Sequence, residues 1–425
     1  MKTYKALILI LDGLGDRPCP ELGGKTPLEA ARTPNLDRLA AAGQSGLMDP
    51  FIPGMPVDTH TGVSILFGLN PREAAHLNRG PIEAAGIGLE LRPGDVFLRA
   101  NLATLKKTKK RYKIIDRRAG RIREGAEALC AALQDVDLGG RIHGSLYPAT
   151  QHRAVLRLSG PALSAAISDT DPGSRRIELG ALPALPLKAA DPMAQRTADA
   201  MNRFFIEAHR QLHRHEVNRK RRKRDLPPAN GILTRCAGTY QPLTNLVSHY
   251  GLRTAVVAGE RTVLGLARLF SFSALSDERF TSLPDTDLEA KVETAEKALQ
   301  DHDLVFLHIK GTDITAHDHQ PEEKQAFIER IDRGIGNLDR EDLVIGVCAD
   351  HSTACRTGEH TGDPVPILLH SPDGRVDQVQ QFGENACSAG LLGRINGRAY
   401  LTTLLDAMGR LQNYRTIDAD ILAPF

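Results

Sequence analysis

Three short apolar runs in the chain have the pattern of strands that are buried on both faces. Residues 6–11 (ALILIL), 304–309 (LVFLHI) and 343–349 (LVIGVCA) show no regular alternation of polar and apolar positions. Uninterrupted runs of this length are typical of strands in a parallel sheet, where helices cover both faces. Residues 254–259 (TAVVAG) and 364–370 (PVPILLH) are predicted to be further strands of the sheet.

Segments with helical periodicity lie between these runs. Apolar residues recur at intervals of three and four positions in residues 33–43, 288–301 and 324–338, and this spacing predicts amphipathic helices. Strands that alternate with helices along a chain indicate an α/β domain with a doubly wound sheet.

The region from residue 96 to residue 190 has a different pattern. Residues 126–136 (AEALCAALQDV) predict a helix, whereas residues 141–160 alternate like a β-hairpin and precede a proline-rich segment. We therefore predict that residues 96–190 form a smaller α+β module. The larger domain into which it is inserted would be formed by residues 1–95 and 191–425.

Composition narrows the classes of partner. The 425 residues are 41% hydrophobic but only 4% aromatic, with no Trp, so the core must be aliphatic. A formal net charge of +2 is too balanced to indicate nucleic acid or a membrane as the main partner, and we expect neither. The basic run at residues 214–225 follows a helical pattern and is predicted to be a solvated helix end. The sequence does not indicate the oligomeric state.

Cysteine spacing and the first residues indicate an intracellular protein. Six scattered cysteines form no CxxC pair, which predicts reduced thiols rather than a disulfide framework. The first apolar run ends at Asp12 and is too short for a signal peptide or a membrane span. We therefore expect a cytoplasmic location.

Acidic and imidazole side chains follow the ends of three predicted strands or lie beside a fourth. The carboxyl ends of parallel strands meet at one edge of a sheet, so these side chains are expected to converge there. The six residues are Asp12, Asp313, His317, Asp350, His351 and His360.

Such a cluster predicts bound cations. Three carboxylates that converge in an apolar fold repel one another and lose hydration unless positive charge neutralises them. Two divalent metal ions would do so, and mixed Asp and His ligands suit Mn or Zn better than Mg, which remains possible. Each residue alone has an ordinary explanation, such as a turn at Asp12 or a structural role for His351, and only the combined pattern favours a metal site.

Several segments together carry a family resemblance that runs over nearly the whole chain. They are LILDGLGDRP, GKTPLEAARTPNLDRLAAAG, NRGPIEAAGIGL, GDVFLRANLAT, DRRAGRI, HIKGTDITAHD and ADHSTACRTGEHTGDPVPILL. These segments are similar to those of the cofactor-independent phosphoglycerate mutases of the archaeal type, which belong to the alkaline phosphatase superfamily. The resemblance implies an alkaline-phosphatase-like core with an inserted cap domain.

The resemblance also implies two metal sites and a nucleophile. Members of the family use a serine followed by an aspartate, at a fixed distance before a GYDP segment. The equivalent segment here is GLNP, residues 68–71, and counting back from it leads to Thr59, which is followed by His60. By the same resemblance, one ion would be held by Asp313, His317 and His360, and the other by Asp12, Asp350, His351 and Thr59.

Further residues are candidates for binding the substrate. Lys310, which follows a predicted strand, would neutralise phosphate charge, although a lysine at a strand end can simply face solvent. His60 would lie beside the transferred phosphate. Arginine offers a planar fork that suits carboxylates and phosphates. The candidate arginines, each of which could equally be a surface residue, are Arg79, Arg117, Arg118 and Arg153.

The activity that the resemblance implies is metal-dependent phosphoryl transfer on a small phosphorylated substrate. A phosphothreonine intermediate would lead to interconversion of 2-phosphoglycerate and 3-phosphoglycerate, or of a similar compound in a specialised mutase. Because Thr59 and His60 depart from the family pair, hydrolysis of a phosphomonoester, phosphodiester or phosphonate is the alternative. A non-catalytic binding protein is disfavoured, since an idle site has no physical reason to keep carboxylates that repel one another.

Overall fold

The apolar runs form strands of one large sheet in the computed structural model, which describes residues 2–241, 243, 245–336, 338 and 342–411. The strands of the described chain, which belong to this sheet and to two smaller ones, are β1 (Lys5–Leu11), β2 (Gln44–Asp49), β3 (Val96–Lys107), β4 (Tyr112–Asp116), β5 (Val136–Asp137), β6 (His143–Pro148), β7 (Arg153–Ser159), β8 (Gly231–Thr239), β9 (Thr254–Val257), β10 (Ser273–Leu275), β11 (Leu304–Ile309), β12 (Leu343–Cys348), β13 (Ser352–Ala354), β14 (Glu359–Thr361), β15 (Val365–His370) and β16 (Gly393–Asn396).

The helices fall between the strands as the periodicity predicts. They are α1 (Pro27–Ala30), α2 (Pro34–Ala41), α3 (Thr59–Leu66), α4 (Pro71–Ala74), α5 (Arg79–Gly86), α6 (Ala126–Ala131), α7 (Pro192–Arg214), α8 (Glu216–Lys223), α9 (Leu246–His249), α10 (Arg261–Leu269), α11 (Leu288–Asp301), α12 (Gly311–His317), α13 (Pro321–Gly334), α14 (Glu384–Cys387) and α15 (Gly397–Ala407). Two 3-10 helices span Pro20–Leu22 and Ser174–Leu179.

The chain divides into two units by its internal contacts. Unit 1 contains the described residues of Met1–Leu77 and Pro242–Phe425, and unit 2 contains Asn78–Gln241. Unit 2 is therefore longer at both ends than the predicted module of residues 96–190. The reason is that α5 packs on β3, and β8 pairs with β3 from Val96–Thr239 to Ala103–Gly231, so segments on both sides of the prediction complete the same sheet.

Unit 1 is built on an eight-stranded sheet with the order β10-β9-β11-β1-β12-β15-β2-β16. The first five strands run parallel, and β1 lies between β11 and β12, with Leu9 opposite Leu307 and Val347. Residues 9–11 of β1 are fully buried, as expected of a strand covered on both faces. Among the helices, α3 contacts α10 and α15, whereas α13 contacts α2 and α11. The predicted α/β class with a doubly wound sheet is confirmed.

Strand β15 belongs to the large sheet, as predicted. It pairs antiparallel with both β12 and β2. The run is apolar because β15 lies inside the sheet, where α2 and α14 contact it, and burial of both faces gives the same pattern whatever the strand direction.

Unit 2 is formed around an antiparallel sheet with the order β4-β3-β7-β6-β5, and β8 pairs with β3. The predicted hairpin at residues 141–160 is present as β6 and β7, which are antiparallel. Helix α7 packs on β8 and buries residues such as Met201 and Phe204 in the apolar core of this unit.

The sequence predicts reduced cysteines, and it does not indicate a membrane as the main partner. All six cysteines are free, and five of them are buried. In the part of the chain that the structure describes, every helix is too short or too polar to cross a bilayer.

The central position of β1 predicts a large stability effect. Leu9→Ala should lower the free energy of unfolding by about 2–5 kcal/mol, because it removes a fully buried side chain from a close-packed sheet. Leu391→Ala, which truncates a 60% exposed leucine of the same unit, should change it by less than about 0.5 kcal/mol. Urea denaturation followed by circular dichroism measures both, and equal effects would contradict the assigned burial.

Candidate functional site

The candidate site lies where three parallel strands of unit 1 end side by side. Because β1 is flanked by β11 and β12, the loops that follow these strands leave from the same sheet edge. Asp12 follows β1 directly, Lys310 follows β11, and Asp350 lies two residues beyond β12. Ligand sites of doubly wound sheets are found at this edge.

The first group of candidate ligands consists of Asp12, Asp350 and His351. One ligand atom from each lies within 4.8 Å of the others. Nε2 of His351 lies 3.4 Å from Oδ1 of Asp12 and 3.3 Å from Oδ2 of Asp350. Asp12 and Asp350 are fully buried.

The second group consists of Asp313, His351 and His360, whose ligand atoms also lie within 4.8 Å of one another. Asp313 is in the first turn of α12, and His360 is carried by β14, where it pairs with Thr353 of β13. The imidazole rings of His351 and His360 stack with centroids 3.7 Å apart.

His317 lies beside the second group, and His351 is part of it. Nε2 of His317 lies 3.3 Å from Oδ1 of Asp313 and 3.3 Å from Nε2 of His360, so His317 adjoins the second group. His351 is shared by both groups. The structure thus brings all six predicted Asp and His side chains together.

Thr59 lies at the start of α3 and reaches the same cluster. Its Oγ1 is 3.3 Å from Nε2 of His351, and Nζ of Lys310 donates to it over 3.4 Å. The close approach of α3 depends on Gly62, because a Cβ at that position would lie 2.1 Å from the backbone oxygen of Asp350. Glycine therefore allows the helix to place Thr59 against the ends of the strands.

Lys310 is the cation of the cluster. Its Nζ donates to Oδ1 of Asp12 at 2.9 Å and to Oδ2 of Asp313 at 2.7 Å. Burial lowers the pKa of Lys310, but the charges of Asp12 and Asp313 raise it by more than burial lowers it. The pKa of Lys310 therefore lies above its ordinary value. The lysine consequently stays protonated at neutral pH.

The two buried aspartates differ in how their charge is balanced. Burial raises the pKa of Asp12, but the charge of Lys310 and hydrogen bonds with His308 and His351 lower it well below its ordinary value. For Asp350, burial and the charge of Asp12 raise the pKa well above its ordinary value.

Asp350 therefore needs a further positive partner. Its Oδ1 accepts a hydrogen bond from the backbone of Gly13 over 3.3 Å, whereas its Oδ2 has no hydrogen-bond partner among the described residues. A buried carboxylate oxygen with no donor beside two further candidate ligands fits a divalent cation. The donor set of Asp and His nitrogen and oxygen atoms suits Mn or Zn.

Two residues that the sequence reasoning missed support the cluster. Nε2 of His308 lies 2.8 Å from Oδ2 of Asp12, and Thr353 donates to Oδ1 of Asp313 over 2.7 Å. His308 is the fifth residue of β11 and Lys310 comes two positions later, so the alternation of a strand could have indicated that both lie on one face. Thr353 offered no comparable signal.

His60, the other predicted residue of α3, is positioned near an acid. Its Nδ1 lies 4.0 Å from Oδ2 of Asp58, and the imidazole is 11% exposed. Asp58 precedes α3 as its N-cap residue.

A second concave site belongs to unit 2. It is a cavity of about 500 Å³, and three of the four arginines predicted to bind substrate line it: Arg117, Arg118 and Arg153. Arg117 forms two hydrogen bonds to Asp171, of 2.9 and 2.6 Å. The cavity is also lined by residues that the sequence reasoning missed, among them Arg99, Arg121, His152 and Arg235.

Arg79 does not line this cavity. Its Nη2 lies 3.4 Å from Oε1 of Glu83, and the same oxygen lies 3.3 Å from Nε of Arg99. Arg79 therefore shares the carboxylate of Glu83 with Arg99, which lines the cavity.

An irregularity in the sheet shapes the cavity wall. The register between β3 and β8 shifts between Phe97 and Arg99, and Cys236 on β8 has a left-handed backbone with φ of 56°. Such a bulge lets neighbouring side chains on one strand be redirected, and Arg235, beside Cys236, lines the cavity.

His152 is a neutral group in this basic cavity. The residue is 8% exposed, and its Nδ1 has no hydrogen-bond partner within the described residues. Burial, together with the charges of Arg153, Arg118 and Arg99, lowers the pKa of His152 to about 4. The imidazole is therefore uncharged at neutral pH and can hydrogen-bond a polar ligand group.

Comparisons with known proteins show the family of the chain. A family model described as 2,3-bisphosphoglycerate-independent phosphoglycerate mutase matches residues 40–218. A protein of that name from Methanopyrus kandleri is 41% identical over 418 residues, covering 96% of this chain and 98% of the relative. One from Thermococcus kodakarensis is 40% identical over 420 residues, covering 97% and 100%. The chain belongs to this phosphoglycerate mutase family.

Solved structures lead to the same conclusion for this mutase-like isomerase. A cofactor-independent phosphoglycerate mutase from Thermoplasma acidophilum is 34% identical, with a TM-score of 0.71 and coverage of 96% of this chain and 100% of the other. A protein from Pyrococcus horikoshii has a TM-score of 0.81 at 34% identity, with coverage of 96% and 98%. The family membership confirms the resemblance that the sequence motifs carry.

The raised pKa of Asp350 predicts that replacing this residue in the phosphoglycerate mutase family member weakens metal binding but does not destabilise the metal-free protein. Asp350→Asn should weaken Mn²⁺ binding by more than the roughly 10- to 100-fold that loss of a supporting residue costs. The metal-free variant should be at least as stable as the natural protein, because it no longer buries a carboxyl group whose pKa is raised. That advantage should grow as the pH rises from the ordinary pKa towards the raised one.

Thermal unfolding with EDTA and with added Mn²⁺ measures both effects. Asp406→Asn, which changes an exposed aspartate of the same unit, is the matched control and should alter neither. A metal-free Asp350→Asn protein that is strongly destabilised would show that the carboxylate is paired within the protein itself.

Proposed function

We propose that the protein interconverts 2-phosphoglycerate and 3-phosphoglycerate by transferring the phosphoryl group to and from Thr59. The observation that carries the proposal is the position of the Thr59 hydroxyl, which contacts both Lys310 and His351. His351 belongs to both groups of candidate metal ligands. The names of the relatives support the choice of substrate.

Two divalent ions, Mn or Zn, would be held by the residues that cluster at the sheet edge. The first would be held by Asp12, Asp350, His351 and Thr59, and the second by Asp313, His317 and His360, with His351 between them. When bound, these ions supply positive charge that lowers the pKa of a hydroxyl and offsets the charge of the phosphoryl oxygens. The partnerless oxygen of Asp350 supports the presence of at least one of them.

Lys310 would serve the transfer directly. Its ammonium group contacts the Thr59 hydroxyl and is anchored by Asp12 and Asp313, so it is held in place before the substrate binds. A fixed positive charge next to the attacking oxygen stabilises the charge that develops there during transfer.

The arginine-lined cavity of unit 2 would bind the anionic groups of the substrate. Arg118, Arg121 and Arg153 are exposed and line the cavity, whereas Arg117 is oriented by Asp171. Guanidinium groups bind carboxylates with two parallel hydrogen bonds. His152, which is neutral, would hydrogen-bond a hydroxyl of the glycerate.

The transfer is balanced in two halves. In the first, the bond between Oγ1 of Thr59 and phosphorus forms as the ester bond to the substrate oxygen breaks, and the proton of the threonine hydroxyl ends on that oxygen. In the second, the other hydroxyl of the bound glycerate attacks phosphorus and the threonine regains its proton. Attack by water instead of glycerate would give hydrolysis.

Changes at Thr59 test the nucleophile. Thr59→Ala should lower kcat by at least about 10⁴-fold, because alanine has no hydroxyl that could accept the phosphoryl group, whereas Thr59→Ser should retain most of the activity. Incubation with Mn²⁺ and 3-phosphoglycerate, followed by analysis for 2-phosphoglycerate, measures the effect. An active Thr59→Ala variant would remove Thr59 from the mechanism.

The products of the same incubation show whether the protein acts as a mutase or as a hydrolase. Formation of 2-phosphoglycerate without inorganic phosphate supports the mutase, and release of phosphate without the isomer would replace it by the hydrolase. If folded, metal-loaded protein forms neither product, a different compound is the substrate.

Arg153 tests the role of the cavity. Arg153→Gln should raise KM for 3-phosphoglycerate about tenfold or more, because a charged hydrogen bond contributes about 1.5–3 kcal/mol. Arg141→Gln, an exposed arginine of unit 2 that does not line the cavity, is the control and should leave KM unchanged. Equal KM values for the two variants would exclude Arg153 from substrate binding.

A further inference from the structure

Charge is distributed unevenly between the two units. Residues 78–241 contain 30 Lys and Arg but only 16 Asp and Glu, whereas the rest of the chain contains 24 and 36. The net charge of +2 hides this difference. Because unit 2 is strongly basic, a polyanion would be attracted to it specifically.

Much of the excess is found in two segments outside the arginine-lined cavity. Residues 106–113, where β3 ends and β4 begins, contain six exposed Lys and Arg and no acidic residue. Residues 214–224, at the end of α7 and along α8, contain six more exposed Lys and Arg, and Glu216 is the only acidic residue among them. Glu216 pairs with Lys220 at 2.8 Å. We call these two segments together the basic surface.

Contacts of Asn230 hold the starts of the two segments close together. Asn230 accepts a hydrogen bond from the backbone of Leu105 at 2.8 Å and donates one to the same residue at 3.0 Å. Its Nδ2 also lies 3.4 Å from Nδ1 of His213. Asn230 therefore connects the base of the β3–β4 hairpin to the residue that precedes Arg214.

Aromatic contacts give the same placement. Nζ of Lys107 lies 5.8 Å from the ring centre of Tyr112, and Tyr112 packs edge-on against His209 of α7 at 4.8 Å. The hairpin thus lies against the C-terminal half of α7, next to the start of α8.

We propose that the basic surface binds the phosphate backbone of double-stranded nucleic acid without reading its sequence. Lysine and arginine side chains bind successive phosphates and release counterions. Tyr112 is the only Phe, Tyr or Trp in these segments, and Lys107 covers it, so stacking on single-stranded bases is not favoured.

Other occupants fit the surface less well. Lysine is depleted at the centres of protein–protein interfaces, which contain aromatic and other apolar side chains, and the basic surface contains none that is exposed within its two segments. A membrane surface would also favour apolar side chains that insert beside the basic ones. The proposal departs from the expectation, drawn from net charge, that no nucleic acid binds.

The test uses the full chain and a fluorescent 20-base-pair DNA duplex. Anisotropy should show binding at 50 mM salt, and the logarithm of the association constant should fall linearly with the logarithm of salt concentration, by about 0.9 per neutralised phosphate. The duplex should bind more tightly than a single strand of the same length.

A pair of matched double variants locates the binding site. K110E/K223E, with one change in each segment, should weaken duplex binding at least tenfold at 50 mM salt. R141E/K188E changes the net charge by the same amount at the other end of α7, where Arg196 donates to Gly140. Because a helix of 23 residues is about 35 Å long, this control should weaken binding less than twofold. Both variants should keep full isomerase activity, which confirms that they are folded.

Three results would overturn the proposal. The first is the absence of duplex binding by the natural chain at 50 mM salt, and the second is equal loss of binding in both double variants. The third is that K110E/K223E instead abolishes self-association in analytical ultracentrifugation, or binding to vesicles with anionic lipid, while duplex binding stays unchanged. None of these results would bear on the proposed phosphoryl transfer.

Discussion

The structure depends on bringing three carboxylates together out of water. Asp12, Asp313 and Asp350 are nearly or fully buried at the ends of neighbouring parallel strands, and such an arrangement is unfavourable unless positive charge compensates it. Lys310 compensates Asp12 and Asp313. The charge at Asp350 makes the cluster a candidate metal centre, because its Oδ2 forms no hydrogen bond with the described residues, although Nε2 of His351 lies 3.3 Å away.

The same constraint supports the proposal that Thr59 is the nucleophile. A hydroxyl is weakly acidic, and only a strongly positive environment makes it reactive near neutral pH. The fold supplies that environment by packing α3 against the end of β12, which Gly62 permits. Threonine, unlike serine, carries a methyl group beside its hydroxyl, and this group restricts the rotamer of the side chain.

The centre of the large sheet and the candidate ligands could be predicted from the sequence, because apolar runs and the residues that follow them are local signals. The direction of β15 could not, since burial gives a parallel and an antiparallel strand the same composition. The extent of unit 2 was also missed, because nothing in the sequence of β8 shows that it pairs with β3, more than 120 positions away. Arg99 and His152 entered the candidate site only through the three-dimensional fold, which brings separate strands to one cavity.

The most direct test of this account is anomalous diffraction at the manganese edge from crystals of the full chain grown with Mn²⁺. The account predicts two anomalous peaks, one in contact with Asp12, Asp350 and His351, and the other in contact with Asp313, His317 and His360. Well-ordered side chains at this sheet edge with no anomalous peak among them would contradict it, because the buried carboxylates would then be balanced by the protein alone.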